Sequence, residues 1–320
     1  MDKPTASLSL DLDNLWSYLK VRGDARWEGF PTYLPTVVPV ILDLLERKAQ
    51  TLTVFVIGQD AAQEANQEPL RRIAQAGHEI ANHSLNHEPW MRDYPEARVV
   101  EEIVEAQGII EQATGRKPVG FRAPGYCRSS AILSALHRLG YQYDASVLPS
   151  ILGPVARLYY LWGSKMSAAQ RSARAQLFGR FSEGLLPLRP FEWRTPTGPL
   201  LEIPVTTIPL LRIPFHLSYL IWLSRRSKTL ALAYMRFALA MCRARGVEPS
   251  VLLHPLDFLG REDVQSLSFF PGMDLPRSHK LEMAERLLGA YRERFDVVPM
   301  SEHARRARAR GGLKSMPLSG

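Results

Sequence analysis

Short apolar runs of strand character alternate with amphipathic helical stretches through the first half of the chain, and no other feature limits the fold as strongly. Residues 52–58, Leu-Thr-Val-Phe-Val-Ile-Gly, read as a buried strand ending in glycine. Residues 36–47 and 97–114 carry helical periodicity, the second stopping at Gly115. Residues 130–139 read as another helix, closed by Gly140. A helix between consecutive strands must carry the chain back across the sheet, so the strands run parallel with helices outside. The expected class is α/β, a distorted (β/α) TIM-like barrel with a helical insertion. Polar residues at strand carboxyl ends are then the candidates for function.

The first strand supplies two of them. Leu8, Leu10 and Leu12 alternate with Ser7, Ser9, Asp11 and Asp13. Period-two alternation points Asp11 and Asp13 the same way. Two such close carboxylates resist joint ionisation unless a cation or hydrogen bonds relieve them. Alone, the pair equally fits a solvated strand end.

The second element shifts that balance. A turn at Gly77 leads through His78 into a short strand, then His83 and His87 follow at i and i+4. On one helical turn or a tight loop this spacing lets two imidazoles hold one metal. Pro89 blocks a longer helix. With Asp13 the set makes a two-histidine, one-carboxylate site for one divalent metal ion, with positions left open for water and substrate. Zinc is the default, with nickel, cobalt, iron or manganese as alternatives. His78 faces away from His83 and reads as structural.

Three further strand ends follow. Arg122, in Gly120-Phe121-Arg122-Ala123-Pro124-Gly125-Tyr126, brings a guanidinium to a Pro-Gly turn, where it would orient a carboxylate or simply lie at the surface. Asp144 lies in Gly140-Tyr141-Gln142-Tyr143-Asp144. Val251 to Leu253 form a short strand ending in His254, with Asp257 three residues on. A histidine there, oriented by an aspartate, suits a general acid, although a merely satisfied histidine meets the same pattern.

In this order the elements resemble the polysaccharide deacetylase family, the NodB-homology carbohydrate esterases. The resemblance implies Asp11 as base, Asp13, His83 and His87 as metal ligands, and Arg122 orienting Asp11. It also implies His254 as acid with Asp144 as its partner. The turn Pro124, Gly125 and Tyr126 would contact substrate and the oxyanion. Leu12 separates aspartates that are adjacent in the family's commoner form, and this spaced form resembles the branch acting on sugar chains or lipid-linked sugars. Residues 202–206, Glu-Ile-Pro-Val-Thr, are similar to deformylases of lipid-linked aminoarabinose. The likeness covers residues 5–150 and resumes near 201–206 and 250–300.

The implied reaction is metal-assisted hydrolysis of an N-acetyl or N-formyl amino sugar, free or on a polyprenyl phosphate. Alternatives are a deacetylase of polysaccharide or peptidoglycan, and a glycolipid-binding barrel without catalysis. The expected domain is residues 1–304, including a basic, aromatic helical insertion over 151–245, followed by a disordered basic tail over 305–320.

Charge bears on the partners. The net charge is +8, and much of the excess sits at Arg305, Arg306, Arg308, Arg310 and Lys314. The chain has no zinc-finger or RNA-binding aromatic signature, which argues against nucleic acid. Tyr159, Tyr160, Trp162 and Phe178 are interleaved with Arg157, Lys165, Arg171, Arg174 and Arg180, and residues 213–223 precede Arg225, Arg226 and Lys228. Such segments suit an anionic membrane surface, or equally barrel helices with basic outer faces. Two cysteines make no disulfide framework, and the start carries no secretory signal. The expected location is cytoplasmic, at the inner membrane face, without a spanning helix.

Overall fold

A computed structural model describes residues 3–152 and 181–318. The aromatic and basic residues singled out between 157 and 180 lie outside the described residues. The strands are β1 (Thr5–Asp11), β2 (Thr53–Val56), β3 (Glu79–Asn82), β4 (Gly120–Phe121), β5 (Tyr143–Asp144), β6 (Phe191–Thr195), β7 (Gly198–Glu202), β8 (Ser250–Leu253), β9 (Asp296–Val298) and β10 (Lys314–Pro317). They form one sheet in the order β10-β6-β7-β5-β4-β3-β2-β1-β8, with β9 also against β1. Every ladder is parallel except the β6–β7 hairpin. The α/β architecture and parallel sheet are as the alternation implied.

The barrel does not close through a ladder among the described residues. Residues 203–206 bridge the gap instead. The Ile203 N–H donates to Asp144 O at 2.9 Å, and the Val205 N–H to Val147 O at 2.8 Å. The Thr206 N–H then donates to Ser250 O at 3.0 Å, while the Ser250 N–H reaches Thr206 Oγ1 at 2.8 Å. Pro204 has no N–H to give, which leaves a ladder broken there.

The helices that matter here are α1 (Leu15–Arg22), α2 (Leu34–Arg47), α3 (Gly58–Ala62), α4 (Glu64–Gln75), α5 (Glu96–Thr114), α6 (Ser130–Arg138), α7 (Leu217–Ser224), α8 (Lys228–Ala244), α9 (Arg277–Arg294) and α10 (Met300–Arg310). One apolar layer joins the leucines of β1 to α2, α4, α7, α8 and α9. A second, smaller cluster fills the inner face of the sheet: Phe55, Ala81, Tyr143, Ala145, Leu201 and Ile203, capped by Met300 and Ala304 of α10. Alternation in β1 therefore does not mean one wet face. Ser7, Ser9 and Asp11 are as buried as the leucines, because α10 plugs the inside.

Two expectations about organisation need correction. Residues 151–245 are not a purely helical insertion, because β6 and β7 extend the sheet from within them. Residues 305–317 are not a disordered tail. Arg305 to Arg310 finish α10, and β10 pairs with β6. Charge alone suggested a solvated terminus, but Ala304 and Ala307 are fully buried on one face of α10. On its other side Arg305 and Arg306 pair with Glu302 and Arg310 with Glu248. Among the described residues no helix is long and apolar enough to cross a membrane.

Candidate active site

The carboxyl ends of β1, β3, β4 and β8 meet at one cleft. Asn14 caps α1 directly after the Asp-Leu-Asp sequence, accepting from the Leu15 N–H at 2.8 Å. Its amide donates to Asp60 Oδ1 at 2.6 Å and Thr32 Oγ1 at 2.8 Å. Tyr33 donates its hydroxyl to the Asp13 carbonyl at 2.5 Å. These bonds turn the chain out of β1 and fix where Asp13 points.

After β3 the chain does not form the helical turn that would also have suited the two histidines. It is a loop in which Ser84 (φ 67°) and His87 (φ 50°) both adopt left-handed backbone conformations. Such geometry costs on the order of 1 kcal/mol per residue and persists only when its surroundings hold it. Here Asn82 Oδ1 accepts from the Ser84 N–H at 2.8 Å, and Ser84 Oγ accepts from the His87 N–H at 3.1 Å. The buried Glu102 of α5 accepts from Asn86 at its backbone N–H (2.7 Å) and its side-chain amide (2.9 Å).

The loop brings His87 Nε2 to 3.0 Å and His83 Nε2 to 3.4 Å from Asp13 Oδ1. The three ligand atoms lie within 4.8 Å of one another. Asp13 Oδ1 is buried without a hydrogen-bond partner. His83 donates its Nδ1–H to the Arg122 carbonyl at 2.6 Å, which leaves Nε2 as the lone-pair nitrogen facing Asp13. Three converging donor atoms, one of them orphaned, fit a divalent cation. Burial raises the Asp13 carboxyl, yet His87 and His83 outweigh it and hold it well below the usual carboxylate range. Burial opposes a cationic His83, but Asp11 and Asp13 push that ring upward. Both effects mark a site that favours positive charge between these groups.

Beside this cluster Arg122 Nη1 meets Asp11 Oδ1 at 2.5 Å. Arg122 is wholly buried. Its Nε–H donates to Ala145 O at 2.9 Å, Nη1 also reaches Ser9 Oγ at 3.0 Å, and its Cζ lies 4.2 Å from the Phe55 ring centre. It is therefore no surface arginine. The following turn is as tight as the Pro-Gly pair implied: Gly125 has φ 59°, and a Cβ there would meet Pro89 Cβ at 2.8 Å. Tyr126 is also left-handed at φ 57°. Its N–H already donates to Ala123 O at 3.1 Å, so the expected oxyanion donor is committed within the turn.

His254 ends β8, as expected. Its own N–H donates to Asp257 Oδ2 at 2.9 Å, and its Nδ1 lies 3.1 Å from Ser218 Oγ. The parallel β1–β8 register sets Leu10 beside Leu253, so His254 leaves its strand next to where Asp11 ends β1.

Asp144 is not the partner of His254. Its Oδ1 accepts from Ser146 Oγ at 2.6 Å, and the β5–β7 register sets it beside Glu202. Burial raises both carboxyls, and in Glu202 the neighbouring Asp144 charge adds to it. Glu202 also accepts from the Val147 N–H and the Trp193 indole, each at 3.0 Å. Ser146 in turn accepts from the Ala123 N–H at 2.8 Å. Asp144 thus supports the strand end that carries Arg122.

Three contributors were missed from sequence. Asp60 is wholly buried beneath the Asp13 turn, accepts from Asn14 and Trp16, and is pushed up to about 7 by burial. His216 and Ser218 come from the start of α7, with His216 pressed down to about 3 by burial and then by His254 and Arg122. The sequence around His216 and Ser218 is apolar and aromatic, which suited a membrane surface or a barrel helix and gave no sign of a place at the cleft.

A polysaccharide deacetylase family model matches residues 24–143, which include His83, His87 and Arg122. Over that stretch the chain is similar to the polysaccharide deacetylases. It is similar to the peptidoglycan-N-acetylglucosamine deacetylase of Bacillus cereus, 29% identical over 108 residues, covering 34% of this chain and 49% of that protein. A chitooligosaccharide deacetylase of a Bradyrhizobium strain is 36% identical over 91 residues, 28% of this chain and 40% of that one. The chain thus spans half or less of the curated relatives it matches. A Mycobacterium smegmatis protein assigned to the polysaccharide deacetylases has a similar fold, with TM-score 0.63 and 21% identity over 100% of this chain and 99% of that one. The deacetylase domain match ends before His254 and begins after Asp13, so those residues join the site through the fold.

Proposed function

We propose that the protein is a metal-dependent hydrolase that removes an N-acetyl or N-formyl group from an amino sugar. The observation that carries this reading is the convergence of Asp13, His83 and His87 beside the buried Asp11–Arg122 pair. The names of the curated relatives support an acetylated sugar as substrate. Bound by those three residues, a divalent cation such as zinc would supply polarisation of the acyl carbonyl and acidification of a water. Asp11 takes a proton from that water. Arg122 holds the Asp11 carboxylate in direction. His254 then protonates the departing amine, with Asp257 fixing its backbone. The products are a free amino sugar and acetate or formate.

The finer reading is a lipid-linked substrate met at a membrane surface. Its support is the exposed apolar side of α7 and α8. Tyr219, Trp222, Leu230 and Phe237 are 40–52% exposed. Arg225 and Arg226 follow directly. Tyr219 stacks on His216, whose ring centre lies 6.1 Å from that of His254, so this surface begins at the cleft. Apolar groups with adjoining arginines suit the anionic, cytoplasmic leaflet.

Acetate and formate release from lipid-linked and free N-acylated sugars, with and without added metal, tests both levels. Metal-dependent release only from lipid-linked sugars is the expected result. Release from free oligomers alone would remove the lipid reading and keep the deacetylase. Full-length protein should also sediment with anionic liposomes at low salt. Absence of sedimentation would count against the membrane surface.

A further inference from the structure

The backbone on both sides of His87 is held by one lysine from another element. Lys20 Nζ donates to the Asn86 carbonyl at 3.0 Å and to Glu88 Oε1 at 2.7 Å. The Lys20 side chain is 10% exposed and that of Glu88 20%. Lys20 lies on α1, which starts two residues after Asp13. Trp16 stands one turn before it on the same face, and the Lys20 ammonium lies 5.8 Å from that ring centre. Trp27, from the turn Ala25–Gly29 that follows α1, has its ring centre 4.9 Å from the same ammonium. We infer that Lys20 is a positioning residue of the metal site, a strut that sets the His87 side of the histidine loop against the Asp13 end of β1. This rests on reading Asp13, His83 and His87 as metal ligands.

The polar groups of Asn86 show how complete this hold is. Its N–H and side-chain amide donate to Glu102 of α5. Its Oδ1 accepts from Gln59 Nε2 of α3 at 3.3 Å. Its carbonyl accepts from Lys20. Three helices therefore tie the residue before His87, and α1 also ties the residue after it. A ligand with left-handed backbone needs such restraint, because that conformation is costly on its own. Charge alone makes a lysine an unfavourable neighbour for a cation site, since like charges repel. Glu88 and the two indole faces offset that charge. An ammonium on a four-carbon stem also reaches both acceptors at once, and no neutral side chain combines that length with two donors. The two effects of Lys20 on the site thus have opposite signs. As a bare charge its removal would tighten metal binding, whereas as a strut its removal loosens it.

Zinc and cobalt(II) binding to the metal-stripped, full-length protein tests this without any substrate. Zinc affinity is read by competition with a chelator, and ligand geometry by the visible bands of bound cobalt(II). K20M keeps the apolar stem and removes the donors. It should bind zinc roughly 10–100-fold more weakly than wild type, with altered cobalt bands. K20R keeps charge and donors and should recover most of the affinity. K48M, which breaks the ion pair with Glu285, should bind like wild type. A K20M affinity equal to or above that of wild type would overturn the proposal, because Lys20 would then act only as a charge. Weaker binding with wild-type cobalt bands would overturn it too, by assigning the loss to general destabilisation. If K20M does not fold, K20Q, with a shorter and neutral donor, replaces it and is judged by the same two outcomes. Wild type that binds neither ion would overturn the metal-site reading and the strut together. If the metal binds but no acylated sugar is hydrolysed, the function reading fails while zinc affinity still decides the role of Lys20.

Discussion

Arg122 shows how much one side chain can carry here. It is wholly buried and joins Asp11, Ser9, the Ala145 carbonyl and the Phe55 face. Removing it would strand Asp11 as an uncompensated buried charge, at a cost of about 3–5 kcal/mol. R122A should therefore unfold at a much lower denaturant midpoint, as well as losing activity. D11N keeps the shape but leaves the buried Arg122 charge without its counter-ion, so its denaturant midpoint should fall as well. The folded variant should keep its metal affinity while hydrolysis falls by roughly 10²–10⁴. Calorimetric metal titration alongside acetate release checks both halves, and unchanged hydrolysis would exclude Asp11 as the base. Which residues gather at the strand ends was largely legible in sequence. Their partners were not: Asp144 and Glu202 stand 58 positions apart and meet only because β5 and β7 are neighbours.

At the scale of elements, the His83–His87 loop depends on α5. Glu102 accepts two bonds from Asn86, and both donors would be left unpaired in E102A, costing about 1–3 kcal/mol. That loss falls on the loop more than on the sheet. Metal affinity in E102A should drop on the order of tenfold or more, read by competition with a chelator, while the thermal midpoint moves only a few degrees. An unchanged affinity would mean that the left-handed residues Ser84 and His87 hold the loop without help from the helix. The i, i+4 spacing was visible in sequence, but its conformation was not. A helical turn and this loop both bring the two rings together, and only the contacts from Asn82, Ser84 and Glu102 choose between them.

At the scale of the molecule, α10 locks the inside of the sheet to β8. Glu248, just before β8, accepts from Arg310 at 2.7 Å and lies 3.4 Å from His303 Nε2. Burial raises its carboxyl, but His303 and Arg310 outweigh this and bring it down to about 2. A depressed carboxylate adds stability above its unfolded value of about 4.5 and loses it as pH falls toward about 2. The contribution is on the order of 1–2 kcal/mol once exposure of Arg310 is allowed for. E248Q should be less stable than wild type by that amount at pH 7, with the gap closing between pH 4.5 and 2 in urea titrations. A gap independent of pH would assign the loss to packing. The basic stretch at 305–310 looked solvated because charge dominates its composition, and its alanine face counted only once β1 and the inner cluster were there to receive it. Local periodicity determined the strand–helix class, the strand ends and the residue types gathered there, since those follow from side-chain direction over a few residues. Tertiary structure decided that no ladder closes the sheet among the described residues, that α10 is a plug, and that His254 meets Ser218 instead of Asp144. Each of those depends on which distant segments lie side by side, and periodicity within a segment carries no information about its neighbour.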